Sequence, residues 1–336
     1  MNNRTEIIAE IAQAHDGSLG ILHSYIDALA TAGVDTVKFQ MHIADAESSA
    51  HEPFRVPFSY EDPTRFDYWK RMEFTLEQWE GIKRHCEDRQ LRFLCSPFSI
   101  EAFEWLEKLG AERYKIASGE VSNYLLLDRI SASGKPILLS SGMSAFAEIE
   151  AAMSRIQSRA GSVEAVFQCT TSYPTPPEAV GLNVIPEIIS RWNITAGLSD
   201  HSGEIWASLA AVALGARKLE FHAVFDKRMF GPDAGSSLNM QQISDLCQGV
   251  RAIETMQANP ADKDDDSRFI SLRNMFGKSL GLRRDLEAGE QIKASDLESK
   301  KPGGMGIPAS EYESVIGRRL SKPLKAGSFI QPNHLA

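Results

Sequence analysis

Ile194-Thr195-Ala196-Gly197-Leu198-Ser199-Asp200-His201 and Lys218-Leu219-Glu220-Phe221-His222 decide the reading of this chain. Each is a short, strand-like run that closes on a histidine. A helix-like stretch from Ser202 to Gly215 separates them. Repeated strand–helix–strand units set successive strands parallel, so both imidazoles fall at the same end of neighbouring strands. Two imidazoles so placed can share one divalent metal.

The same alternation extends on both sides of this pair. Strand-like runs fall at 5–11, 35–40, 91–95, 112–116, 136–140, 164–169, 194–198 and 218–222, with amphipathic segments such as 20–32, 76–89 and 145–159 between them. Eight such units predict an α/β fold, a closed (β/α)8 TIM barrel. A doubly wound open sheet is the competing fold, but no Gly-x-Gly-x-x-Gly turn follows the first strand. Active sites on a barrel of this kind sit at the C-terminal strand ends. The unusual polar residues collect there: Glu10, then Lys38 and Gln40, Ser96, Lys115 with Ser118 and Glu120, Ser140 and Ser141, Thr170 and Tyr173, and the two histidines. The polar and aromatic connection at 41–75 reads as a functional loop.

A chain of 336 residues calls for more than one core. The barrel is expected over residues 1–256. Residues 257–268 are acidic and poor in apolar side chains, the mark of an exposed linker. Residues 269–336 hold a weak repeat: Leu286, Ala288, Gly289, Ile292 and Leu297 recur 38 residues later as Leu324, Ala326, Gly327, Ile330 and Leu335. Two hairpin-like units with Ala-Gly turns predict a small pseudo-symmetric β domain, marginal alone and suited to docking or oligomerisation. This segment carries 11 Lys and Arg against 7 Asp and Glu, a net of +4, which leaves −13 on residues 1–268.

The overall charge of −9 argues against a general nucleic-acid binder. No apolar run approaches the roughly 20 residues a membrane helix needs. The N-terminal residues show no signal-peptide pattern. Cys86, Cys95, Cys169 and Cys247 lack disulfide or metal spacing, so reduced thiols and a cytoplasmic location are expected.

Lys38, Lys115, Ser96, Ser118, Ser140 and Ser199 would point into one barrel mouth. Two cations with several hydroxyls suit a phosphate and a carboxylate together. Singly, each serine reads as a capping hydroxyl and each lysine as a solvated turn residue; the joint placement points to a ligand. His201 and His222, with Glu10 and Asp233 near the mouth, suit Mn²⁺, Mg²⁺, Co²⁺ or Zn²⁺. Such an open site can polarise a carbonyl and activate a water.

These motifs resemble the sialic acid (N-acetylneuraminate) synthase family. The matching stretches include Ala9-Glu10-Ile11 with His15-Asp16-Gly17, Val37-Lys38-Phe39-Gln40, Ser96-Pro97-Phe98-Ser99, Tyr114 to Glu120, Ser140-Ser141-Gly142-Met143, Tyr173-Pro174-Thr175-Pro176, Gly197 to His201 and Gly231-Pro232-Asp233. The tail, with Lys300-Lys301-Pro302-Gly303, resembles that family's antifreeze-like (SAF) domain. The resemblance implies condensation of phosphoenolpyruvate with an open-chain amino sugar. By that likeness His201 and His222 bind the metal and Glu10 is the catalytic carboxylate. Lys38, Gln40, Ser96, Lys115, Ser118, Ser140 and Ser199 hold phosphoenolpyruvate, while Tyr173, Asp233 and Lys301 face the sugar. It further implies a homodimer in which the tail of one chain caps the barrel of the other.

Three departures fall on the acceptor side. Ala14 stands where the family usually has Asn, Lys301 where it usually has Arg, and the family's sugar-contacting Asn in the connection at 41–75 has no clear counterpart. Lysine is a point charge and cannot reproduce a planar guanidinium fork. The acceptor therefore stays open among N-acetylmannosamine, a diacetamido-trideoxyhexose and another aldose. A Schiff-base pyruvate aldolase using Lys115, and a non-catalytic carbohydrate-binding protein, are the alternatives.

Overall fold

In a computed structural model, which describes residues 4–336, the chain divides after Asn259 into two compact units. The first is the expected barrel. Its parallel strands close in chain order: β1 (Glu6–Glu10), β2 (Thr36–Met41), β3 (Arg92–Pro97), β4 (Tyr114–Ile116), β5 (Pro136–Ser140), β6 (Ser162–Cys169), β7 (Thr195–Asp200) and β8 (Lys218–His222). β8 returns to β1 with Glu6 opposite Lys218 and Glu10 opposite His222. On the other side of β1, Glu10 is opposite Lys38. The register therefore sets one carboxylate between a lysine and a histidine.

Alternation along the strands fills the barrel in layers. Glu6, Thr36, Arg113 and Lys218 form a charged layer at the N-terminal end, where Lys218 Nζ lies 2.6 Å from Glu6 Oε2. Above it Ile8, Leu94, Leu138, Ala165 and Phe167 make an apolar plug. Gly197 admits the Phe167 ring, because a Cβ there would lie 2.7 Å from it. Above the plug the interior turns polar again.

The outer helices pack apolar stripes on the strands. Leu76–Asp88 shows why such a segment is helical. Trp79, Ile82 and Cys86 recur at helical spacing and are buried, and Thr75 with Gln78 closes a capping box at the start. Thr75→Ala would cost about 0.5–2 kcal/mol. The last barrel helix, Met240–Ala258, runs past residue 256 and ends before Pro260, which cannot continue it.

The second unit pairs β9 (Ser279–Leu282) antiparallel with β10 (Leu297–Lys300). The internal repeat builds its core. Leu286 bridges Leu324, and Leu286, Ile292 and Ile330 are buried with Leu297, Leu324 and Leu335 packed against them. The two Ala-Gly turns place Gly289 and Gly327 at φ +85° and +82°, a region that favours glycine.

Candidate active site

A cavity of about 480 Å³ opens at the C-terminal ends of the barrel strands. The expected Glu10, Lys38, Gln40, Lys115, Ser118 and Ser140 line it. So do Tyr173, Ser199, His201, His222 and Asp233. Ser96 does not: it is fully buried in β3, and its hydroxyl has no hydrogen-bond partner. Lys301 belongs to the second unit, where its Nζ lies 5.4 Å from the centre of the Phe276 ring.

The two lysines are not open cations. Lys115 Nζ lies 2.7 and 2.6 Å from the two oxygens of Glu220. Lys38 Nζ lies 2.7 Å from Glu10 Oε2 and 3.1 Å from Glu220 Oε1. Ser199 donates to Glu220 Oε1 at 3.0 Å. All four charged groups are buried, and together they are neutral. Burial alone would raise the pKa of Glu220, but Lys115 and Lys38 hold it below the usual value. Burial and the like charge of Lys38 draw Lys115 downward against Glu220.

Glu220 is one residue that sequence reading missed. The signal was available: Lys218, Glu220 and His222 alternate along β8, so all three face the interior.

The hydroxyl cluster lies on the other side of the mouth. Ser118 Oγ donates to Ser140 Oγ at 3.1 Å and accepts from the Gly142 N–H at 3.0 Å. Gly142 has no room for a side chain. A Cβ would come within 2.5–2.8 Å of Thr171 Oγ1, Ser118 Oγ and Cys169 Sγ.

His201 and His222 are buried, with ring centres 5.3 Å apart. His201 Nδ1 is 3.1 Å from the Thr170 carbonyl oxygen, a contact it can make only as donor, which in the neutral ring leaves the lone pair on Nε2. His222 Nε2 is 3.5 Å from Glu10 Oε2, and its Nδ1 is 3.9 Å from Asp233 Oδ2. This donor set fits a divalent ion. Among the described residues no three His, Cys, Asp or Glu form a complete metal cage, so water or substrate oxygens would have to complete the shell.

The β2–β3 connection, read from its composition as a functional loop, forms one wall, though nothing in the sequence marked which of its side chains reach the site. Phe54, Arg55, Phe58, Tyr68 and Trp69 reach the cavity. Arg55 Nη2 lies 2.5 Å from Asp233 Oδ1, and its guanidinium sits 4.1 Å from the centre of the Tyr173 ring. Tyr173 in turn packs 4.3 Å from the His201 ring.

A closed barrel with a ligand-sized, charge-lined recess at its C-terminal strand ends is the architecture of a barrel enzyme. The sequence pattern of the NeuB family matches residues 25–262, and that of the SAF domain matches residues 277–336. The chain belongs to the NeuB family. It is 32% identical to the N,N'-diacetyllegionaminic acid synthase of Campylobacter jejuni over 98% of this chain and 99% of that one. It is 28% identical to human N-acetylneuraminate-9-phosphate synthase over 94% of this chain and 88% of the other. The crystal structure of the N-acetylneuraminic acid synthetase of Leptospira borgpetersenii, in complex with citrate, superposes with a TM-score of 0.71 at 27% identity, covering 81% of this chain and 92% of that one. Among the described residues no helix is long and apolar enough to cross a membrane.

Proposed function

We propose that this protein condenses phosphoenolpyruvate with an open-chain amino sugar to give a nonulosonic, sialic-type acid and inorganic phosphate. The observation that carries the reading is the meeting, in one recess, of the His201–His222 pair with the buried Lys38–Glu10 and Lys115–Glu220 pairs. The relatives named above agree with it.

In this reading Lys38, Lys115, Gln40 and the Ser118, Ser140 and Ser199 hydroxyls hold the phosphate and carboxylate of phosphoenolpyruvate. Ser96, fully buried in β3 and not among the residues that line the cavity, is left out of this set. C3 of phosphoenolpyruvate attacks the aldehyde carbon and forms the new C–C bond. The former aldehyde oxygen takes up the electron pair of its C=O double bond. Water adds at the cationic C2 and gives one proton to Glu10, which passes it to that oxygen. The C2 hydroxyl loses its proton to the departing phosphate as the C2–O bond breaks, leaving the ketone. Tyr173 and Asp233 orient the sugar beneath Arg55. A divalent ion held by His201 and His222, Mn²⁺ or Mg²⁺ with Co²⁺ or Zn²⁺ also suited, would polarise the aldehyde oxygen and add positive charge to a lysine–glutamate cluster that is neutral alone.

The second unit acts, in this reading, as a cap over the barrel of a second copy. Its helix Ile270–Phe276 supports this, because Ile270, Leu272, Met275 and Phe276 are all exposed.

The test is phosphate release from phosphoenolpyruvate with Mn²⁺ and a panel of amino hexoses, followed by the mass of the product. Chelator should abolish release. His201→Ala and His222→Ala should each do the same while keeping the wild-type circular dichroism. Full activity in the double variant would remove the metal from the reading. The lowered Lys115 favours one other chemistry, an imine with pyruvate. Trapping by borohydride with pyruvate, together with activity in chelator, would establish that aldolase instead.

A further inference from the structure

Outside the groups used above, the wall of the cavity holds a buried acid–histidine pair, Glu47 and His42. Glu47 Oε1 lies 2.5 Å from His42 Nδ1. Its other oxygen is buried without a partner, so among the described residues His42 is the only side chain that holds this carboxylate. The His42 ring is sandwiched between Trp69 and Phe98, with ring centres 4.0 and 4.5 Å away and planes within 18° of parallel. Both faces are covered, and Nδ1 is committed to Glu47. Only Nε2 is left to act on the site.

With Nδ1 donating to the carboxylate, Nε2 of the neutral ring is an acceptor and takes the Gln13 Nε2 donor 3.0 Å away. Gln40 Oε1, also 3.0 Å away, is itself an acceptor and is not its partner. Gln13 Nε2 also donates to Gln40 Oε1 at 2.5 Å. Gln13 thus bridges His42 to Gln40 and holds the Gln40 oxygen on its own side. The Gln40 amide nitrogen must face the opposite way, where it donates to Glu10 Oε1 at 2.6 Å. The chain of hydrogen bonds runs Glu47, His42, Gln13, Gln40, Glu10. A carboxylate accepts only, so a reversed Gln40 amide would set two acceptors against each other beside Glu10.

We infer that His42 and Glu47 are positioning residues for the reaction proposed above: acting through Gln13, they fix the Gln40 amide and, through it, the Glu10 carboxylate. This rests on that functional reading only for its consequence in turnover. The geometric part stands without it. The stacked ring also ties the β2–β3 connection, through Trp69, to Phe98 beside β3, so one side chain sets both the wall and the acid.

His42→Phe keeps a flat ring in the Trp69–Phe98 sandwich and removes both nitrogens. It should lower kcat roughly ten- to hundred-fold, the range of a hydrogen bond to a charged group. Gln40→Ala should lower it similarly. Because His42 acts through Gln40, the double variant should be no slower than Gln40→Ala alone. Losses that multiply, or a silent His42→Phe, would overturn the inference. Glu47→Gln, which keeps the shape of the side chain, serves as the second variant and should show the same non-additivity with Gln40→Ala. A crystal structure of His42→Phe separates this inference from the functional one. A Gln40 amide turned away from Glu10 supports positioning, and one still bonded to Glu10 overturns it, whether or not any sugar proves to be an acceptor.

Discussion

Glu220 Oε2 lies 2.6 Å from Lys115 Nζ, in a part of the barrel where both side chains are almost wholly shielded from water. Neither charge is stable there alone. A lone buried ion loses its hydration, and the partner's field restores only part of that loss. Lys38 joins the same carboxylate from β2 and brings Glu10 with it. The floor of the cavity is therefore a preset array of paired charges, so a bound anion exchanges partners with ions already desolvated.

Glu220→Ala would leave two ammonium groups with one carboxylate. A loss of about 3–5 kcal/mol is expected, the usual cost of breaking a buried pair from one side. Replacing both partners, Glu220→Leu with Lys115→Met, should recover much of that stability without recovering turnover. Urea midpoints for the wild type and these two variants test this. An unchanged midpoint in Glu220→Ala would mean that the pair is open to water in solution.

At the opposite end of the barrel, Glu6 is held by Arg113 and Lys218. Burial alone would raise its pKa, but the two cations carry it well below the usual carboxylate range. A carboxyl depressed on folding stabilises the protein fully above its unfolded pKa, ~4.3, and loses that contribution as pH falls toward the folded value. Glu6→Gln should therefore be less stable than wild type at pH 7. The gap should narrow as the pH drops below about 4. Denaturant titrations across that window check it, and a gap independent of pH would assign the effect to packing.

The barrel was legible because its period is simple: eight apolar runs alternate with amphipathic segments, and each strand lies within a few residues of its expected place. The mouth was legible because side chains alternate, so polar residues at strand ends converge. Ser96 shows the limit. It has the right position in its strand, yet its hydroxyl is buried off the cavity. Glu220 was obscured by apolar neighbours in a run read only for its final histidine. Arg55, His42 and Glu47 come from a connection with no period, where nothing but the fold itself brings side chains together.

Arg55 ties that connection to the acceptor side of the site. Its guanidinium covers Tyr173 and meets Asp233, so it fixes two residues expected to face the sugar. Arg55→Ala should raise the acceptor KM several-fold and leave the phosphoenolpyruvate KM unchanged. Arg55→Lys should rescue it only in part, because an ammonium can pair with Asp233 but lacks the planar face that stacks on Tyr173. Equal effects on both substrates would place Arg55 in the general architecture of the mouth instead.

The last prediction concerns the second unit. It is small and carries net positive charge. The exposed apolar face of Ile270–Phe276 is the kind of surface a second copy would cover. Lys301 lies beside Phe276 in that unit. If the unit caps the barrel of a partner, removing residues 269–336 should cost acceptor affinity and turnover while metal binding to the barrel persists. Lys301→Arg should shift preference toward N-acylated sugars, since a guanidinium can fork onto an acyl oxygen where an ammonium makes a single contact. Two inactive proteins decide whether the cap acts across chains. One lacks residues 269–336 and the other carries His201→Ala. When mixed and allowed to exchange subunits, they should regain part of the activity, because the intact cap of one would cover the intact barrel of the other. A fully active monomer, or mixtures that stay inactive despite demonstrated exchange, would rule out capping in trans.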